Sequence, residues 1–177
     1  LCRPYDASRC GLNLGEACGA VMLTKTGTSE LVAIDGGSAS DDANHISGPS
    51  RTGDGLYFAM RDAMSEAGVG PADVDMLQMH GTATAYNDEM ESKAAGLAGL
   101  SDVPAQSLKP YFGHTMGASG IIETILAAEE LKRGIFLGVK GFKELGVPVP
   151  LNVSAENRLI TNPHHCLKTA SGFGGTN

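Results

Sequence analysis

The 177-residue sequence predicts an α/β fold, a mixed β-sheet flanked by helices in stacked layers. Three observations carry that expectation. Short apolar runs alternate with segments whose apolar residues recur at helical spacing. Three polar, glycine-bearing stretches each follow a predicted strand: "HGTATAYND" (80–88), "LKPYFGHTMGASG" (108–120) and "SGFGGTN" (171–177). In an α/β sheet that edge is where binding sites gather. A hydrophobic content of 42% is enough to build one sizeable core.

Taken in order, "CGAVMLTK" (18–25) and "SELVAIDGGSA" (29–39) read as two strands of a hairpin turned through "TGTS". "SDDANHISGPSRTG" (40–53) is polar and loop-like. From Asp54, the spacing of Leu56, Phe58, Ala59, Ala63, Met64 and Ala67 predicts a helix, with Gly68 suited to its C-cap. "VDMLQMH" (74–80) is nearly continuous in apolar residues, the pattern of a strand buried on both faces. Asn87 and Asp88 suit the N-cap and first turn of the next helix. "VPAQSLK" (103–109) predicts another short strand, followed by a helix from about Gly117 to Arg133. "HHCLKTASG" (164–172) reads as a last strand running into the terminal turn.

Composition excludes several classes of function. The net charge is −7, the pI is about 5.1, and no Lys/Arg-rich run exists, so a nucleic-acid partner is not expected. No apolar stretch approaches the roughly 20 residues of a bilayer span, and no secretory signal opens the chain. The expectation is a cytoplasmic protein with no membrane association. Cys2, Cys10 and Cys18 are spaced by eight residues rather than the two to four of zinc sites, and Cys166 stands apart. Reduced thiols, no metal and no cofactor are expected. The chain opens on Leu1 and stops in a glycine-rich turn, and both ends look cut.

The stretch "SLKPYFGHTMGASGIIETILAAEEL" (107–131) places Lys109 and His114 just before an apolar helix. Gly117, Ala118, Ser119 and Gly120 leave its first turn nearly free of side-chain bulk, which admits close approach of a substrate. The partial positive charge of a helix N-terminus, with Lys109 nearby, tends to hold His114 neutral. A neutral His80 would offer a second N–H. Two such donors converging on one oxygen suit an enolate or a tetrahedral oxyanion.

"HGTAT" followed by "ND..ES", "SLKPYFGHTMGASGIIE" and "GFGGTN" resemble, in order and spacing, the motifs of elongating β-ketoacyl-ACP synthases, the condensing enzymes of fatty-acid and polyketide assembly. "CRPYDASRCGLNLGEACGAVML" (2–23) resembles the start of that family's C-terminal half, and "SDDANHISGP" (40–49) its acidic gate loop. The resemblance covers nearly the whole chain. It implies a thiolase-like fold, with residues 1–177 as the C-terminal half of an αβαβα sandwich. It implies that His80 and His114 are the two catalytic histidines, holding a malonyl thioester carbonyl and supporting decarboxylation. Lys109 matches the family's lysine, in an electrostatic and structural role, and Glu123 the acid paired with it. Thr82 and Thr84 match hydroxyls lining the pantetheine channel. Phe173 matches a gating phenylalanine whose backbone N–H serves the oxyanion hole, and Asp42 and His45 match a second gate loop. The implied partners are an acyl carrier protein bearing acyl or malonyl phosphopantetheine, the protein's own N-terminal half, and a second copy in a homodimer.

Family members carry an acyl group on a cysteine in a "TACSS"-like turn at a helix N-terminus, where the dipole lowers the thiol pKa. None of the four cysteines has that context. The fragment is therefore expected to be inactive alone, with the nucleophile upstream. Departures from the family pattern include Ala83, where "HGTGT" has glycine, Ser171 in place of an aromatic before "GFGG", and "RCG" in place of "RDG". Two alternatives stand beside this reading. One is a non-catalytic, chain-length-factor-like subunit of a condensing heterodimer, which retention of His80, His114 and Lys109 disfavours. The other is a metal hydrolase built on His80, His114 and "HHC" (164–166), disfavoured because adjacent strand residues point to opposite faces.

Overall fold

The computed structural model describes residues 2–25, 27, 28 and 32–177. Helix α1 (Asp54–Ala67) ends at Gly68, whose φ of 70° is left-handed, as the C-cap reading requires. It buries Gly55, Leu56, Ala59, Met60 and Met64. Phe58 departs from the predicted stripe. Two positions from Leu56 is about 200° around the helix, so its ring points outward and Met60 fills the core instead. Arg61 covers the displaced ring at 5.0 Å.

The strands are β1 (Met76–Gln78), β2 (Pro104–Gln106), β3 (Ile135–Phe136), β4 (Asn152–Val153), β5 (Arg158–Leu159) and β6 (Cys166–Lys168). Four of them form one sheet in the order β4-β2-β1-β6, parallel throughout. Among the named strands, β3 and β5 pair antiparallel in a separate ribbon, and isolated antiparallel bridges join Asp6 to Leu145 and Asp41 to Thr176. Central β1 is fully buried, as its unbroken apolar run predicts. Helix α2 (Ala85–Leu97) follows β1, and α3 (Lys109–Phe112) and α4 (Ser119–Arg133) follow β2. Leu56, Met60 and Met64 of α1 join Leu77, Met79, Met90, Ala94 and Leu100 in the core.

Three expectations are corrected. Residues 18–25 and 32–39 form no strands; Thr26 and residues 29–31 of the predicted hairpin lie outside the described residues. Val21, Met22, Leu23, Val32 and Ile34 are exposed. Strand propensity needs a ladder partner and a covered face, and among the described residues this segment has neither. Helix α2 starts ahead of the predicted cap, with Thr84 as N-cap, and Asp88 is in its first turn. Helix α4 begins only after a 3-10 turn (Met116–Ala118), and its buried stripe is largely polar: Ser119, Glu123, Ala127 and Glu130. Among the described residues, no helix is long and apolar enough to cross a membrane.

Candidate active site

His80 leaves the C-terminal end of β1, and His114 lies in the turn between α3 and α4. Their ring centroids are 5.1 Å apart, edge to face at 82°. The neighbours of each ring determine where its proton sits. Lys109 Nζ is 3.2 Å from His80 Nδ1 and also donates to the His80 carbonyl. An ammonium only donates, so Nδ1 must carry the lone pair and Nε2 the hydrogen. The Met116 N–H donates to His114 Nδ1 at 3.2 Å, and Ser119 Oγ is 2.8 Å from the same atom. His114 is thereby the same tautomer. Met116 adopts φ 52° at this turn, an uncommon conformation for a side-chain-bearing residue.

Burial lowers the pKa of both imidazoles, and Lys109 lowers both further. His80, 6% exposed, is pushed down to about 2, with His114 and Lys168 adding to the effect. Both rings are therefore neutral at physiological pH, and each keeps one Nε2–H. Gly117 and Gly120 beside them have open space where a side chain would stand.

Behind the rings lies a buried ionic chain. Lys109 is fully buried, and its Nζ is 2.7 Å from Glu123 Oε1. Lys168 Nζ, from β6, is 3.2 Å from the other oxygen, Glu123 Oε2. On the backbone side of His80, Glu91 accepts five donors. Its Oε1 takes the His80 N–H at 2.8 Å and the Thr169 hydroxyl at 3.2 Å. Its Oε2 takes the Gly81 N–H at 2.7 Å and the Tyr5 hydroxyl and Asn87 amide at 3.0 Å each. Burial and Asp88 push the Glu91 carboxyl up to about 7, and burial raises Asp88 to about 6. Asp88 in turn accepts the N–H groups of Tyr5 and Thr82.

The remaining predicted residues divide into two groups. Thr82 and Thr84 sit beside the site with their hydroxyls 2.7 Å apart. Ala83 between them has φ 59°, so the position that favours glycine in "HGTGT" is left-handed here as well. Asp42, His45 and Phe173 belong to a second cluster in which the 40–46 loop is bound to the terminal turn. The Asp42 N–H donates to the Gly175 carbonyl at 2.8 Å, the Gly174 N–H to that of Ile46 at 2.6 Å, and Asn177 Nδ2 to Asp42 Oδ1 at 2.8 Å. Phe173 is 81% exposed and His45 is exposed, its Nδ1 accepting the Ser47 N–H. The structure thus gathers His80, His114, Lys109 and Glu123 into one site and joins Asp42 to the loop of Phe173 in another.

Lys168 and Tyr5 are members of the first site that sequence reading did not single out, while Asp88, Glu91 and Ser119 stand in the quoted "ND..ES" and 117–120 segments without having been given a role at the site. The available signal was an acidic pair at helical spacing, Asp88 and Glu91, facing the core rather than water. His164 and His165 donate their N–H groups to Asp75 Oδ2, and among the described residues no three His, Cys, Asp or Glu side chains converge to hold a metal ion.

The fold is α/β, a parallel sheet flanked by helices with paired neutral histidines and a buried lysine beyond its strand ends, and it is thiolase-like, as in the solved ketosynthases it resembles. The chain belongs to the β-ketoacyl synthase family: residues 31–142 match its C-terminal domain. It is 33% identical to 3-oxoacyl-[acyl-carrier-protein] synthase 2 of Rhizobium meliloti and 32% identical to that of Mycobacterium leprae, each over 99% of this chain and 44% of the relative. The chain therefore spans less than half the length of these curated relatives. Among solved structures, a β-ketoacyl synthase from Burkholderia phymatum superposes with a TM-score of 0.85 at 27% identity, covering 98% of this chain and 44% of that one. The ishigamide ketosynthase/chain length factor superposes at 0.86 and 26% identity, covering 100% of this chain and 45% of that one.

Proposed function

We propose that this chain is the decarboxylating half of a β-ketoacyl-ACP synthase, acting with an N-terminal half that carries a nucleophilic cysteine. The observation that carries the reading is the His80–His114 pair, two neutral rings at 5.1 Å whose Nδ1 atoms are both engaged and whose Nε2 atoms have no hydrogen-bond partner among the described residues. When malonyl thioester loses CO2, the electrons of the breaking C–C bond delocalise onto the thioester oxygen. Two N–H donors there stabilise the enolate without giving up a proton. The enolate carbon then attacks the acyl thioester on the cysteine, forming a C–C bond and expelling the thiolate. Burial pushes the Cys2 and Cys166 thiols up, the latter to about 12, which disfavours either as the nucleophile.

Thr82 and Thr84 would line the path of the pantetheine arm delivered by an acyl carrier protein. Asp42, His45 and Phe173 would form a gate whose loops move together, given the hydrogen bonds that join them. A homodimer is the expected assembly. A chain-length-factor role remains the second reading, because structures of ketosynthases with chain length factors are among the similar folds. In the whole protein, His80→Ala or His114→Ala should lower malonyl-ACP decarboxylation by at least about 100-fold, the scale of removing one oxyanion donor. Acyl transfer to the cysteine should persist. Equal loss of both steps would overturn the assignment.

A further inference from the structure

Lys168 lies outside every family motif in the sequence, yet it reaches the histidine site from the far side. It sits on β6, the edge strand next to β1, with its side chain 17% exposed. Its Nζ donates to the Thr169 carbonyl at 2.9 Å and stands 3.2 Å from Glu123 Oε2. That oxygen is buried and has no aligned hydrogen-bond donor, whereas Oε1 is engaged by Lys109 at 2.7 Å. An unpaired carboxylate oxygen in such surroundings attracts the nearest cation. Without Lys168, the cation nearest Glu123 Oε2 would be Lys109, already bound to the same carboxylate. Moving toward Oε2 would draw its Nζ away from His80 Nδ1.

We propose that Lys168 is a positioning residue of the histidine site, sharing Glu123 with Lys109 so that the Lys109 ammonium stays against His80. One carboxylate then serves two ammonium groups, and Lys109 keeps spare donors for the Nδ1 and carbonyl of His80. Lys168 also binds the backbone of Thr169, whose hydroxyl accepts the His80 N–H at 3.1 Å. The single side chain therefore braces His80 through its ring and through its main chain. The charged and titratable groups facing Lys168 are Glu123, Lys109, Glu91, His80 and Cys166.

This inference rests on the decarboxylase reading, and its test separates the two. Lys168→Met and Lys168→Arg are made in the whole protein, and malonyl-ACP decarboxylation is followed together with the 15N shift of His80 Nδ1. The Met variant should lose roughly 10-fold in kcat with KM for malonyl-ACP within about twofold, a change on the scale of one hydrogen bond to a charged group. Its Nδ1 resonance should move toward that of an imidazole free of hydrogen bonding. Arg should restore both readouts. In a Glu123→Gln background, Lys168→Met should change neither further. Wild-type kcat and an unmoved Nδ1 resonance in the Met variant would overturn the inference, as would loss in Met and Arg variants alike or a full additional loss in the Gln background. If the wild-type protein itself fails to decarboxylate malonyl-ACP, the functional reading falls, and the Nδ1 shift alone decides the role of Lys168.

Discussion

Gly81 shows how little freedom surrounds His80. Its φ is 46°, and an added Cβ would stand 2.4 Å from Ser107 Cβ and 2.6 Å from Tyr5 Oη. Gly81→Ala should cost roughly 2–4 kcal/mol in denaturant unfolding, from left-handed strain plus overpacking. Next to it, Glu91 is surrounded by donors, and Glu91→Gln would set an amide NH2 against N–H and O–H groups. About 1–3 kcal/mol should be lost through the donor left unpaired, and His80 should lose its fixed orientation. Both effects are measurable as the variant's unfolding midpoint and its decarboxylase kcat. His80, His114, Lys109 and Glu123 were legible in sequence because they stand in short glycine-bearing motifs. Lys168 was not, since a lone lysine in "CLKTASG" carries no sign of which side of the strand it takes.

Among the elements, the helices read more truly than the strands. The apolar spacing of α1 and the glycine after it are local facts, and the structure departs from them chiefly in exposing Phe58 and burying Met60 in its place. The strands predicted over 18–25 and 32–39 do not form, because alternating residues need a covered face to pack against and among the described residues this segment has none. Helix α4 was read as apolar, yet its isoleucines are half-buried while Glu123 and Glu130 face inward, each paired with a buried partner. That inversion is set by buried donors on the elements α4 packs against, Lys109 and Gln106, which the helix's own sequence does not show. The terminal turn belongs at this scale as well. With Phe173 81% exposed, Phe173→Ala should shift stability by no more than about 0.5 kcal/mol while changing the rate of acyl loading. A large fall in the unfolding midpoint would contradict the proposed gate role.

For the whole molecule, buried titrating groups oppose one another. His80 and His114 have depressed folded pKa values, so their stabilisation is complete above the ordinary value of about 6.5 and is lost as pH falls below it, because only the unfolded chain takes up the protons. Glu91 is raised, so the folded state binds its proton more readily, and stability from this group grows as pH falls from about 7 toward 4.5. Wild-type stability should therefore vary gently between pH 7 and 5, and Glu91→Gln should fall more steeply on acidification. A parallel or shallower curve for that variant would contradict the balance. The exposed apolar residues Leu14, Met22, Leu23, Ile34 and Ile46 add a second expectation for the molecule as a whole. The chain alone should bind a hydrophobic dye strongly, and joining it to an N-terminal half should suppress that binding.

The account depends on two neutral imidazoles presenting Nε2–H together. The most direct measurement is the 15N spectrum of His80 and His114 in the whole protein, assigned by single-histidine variants and followed from pH 8 down to about 5. Each ring should give a protonated Nε2 and a bare Nδ1, and His80 should keep that signature throughout. A His80 imidazolium at pH 7, or a hydrogen on Nδ1 of either ring, would contradict it.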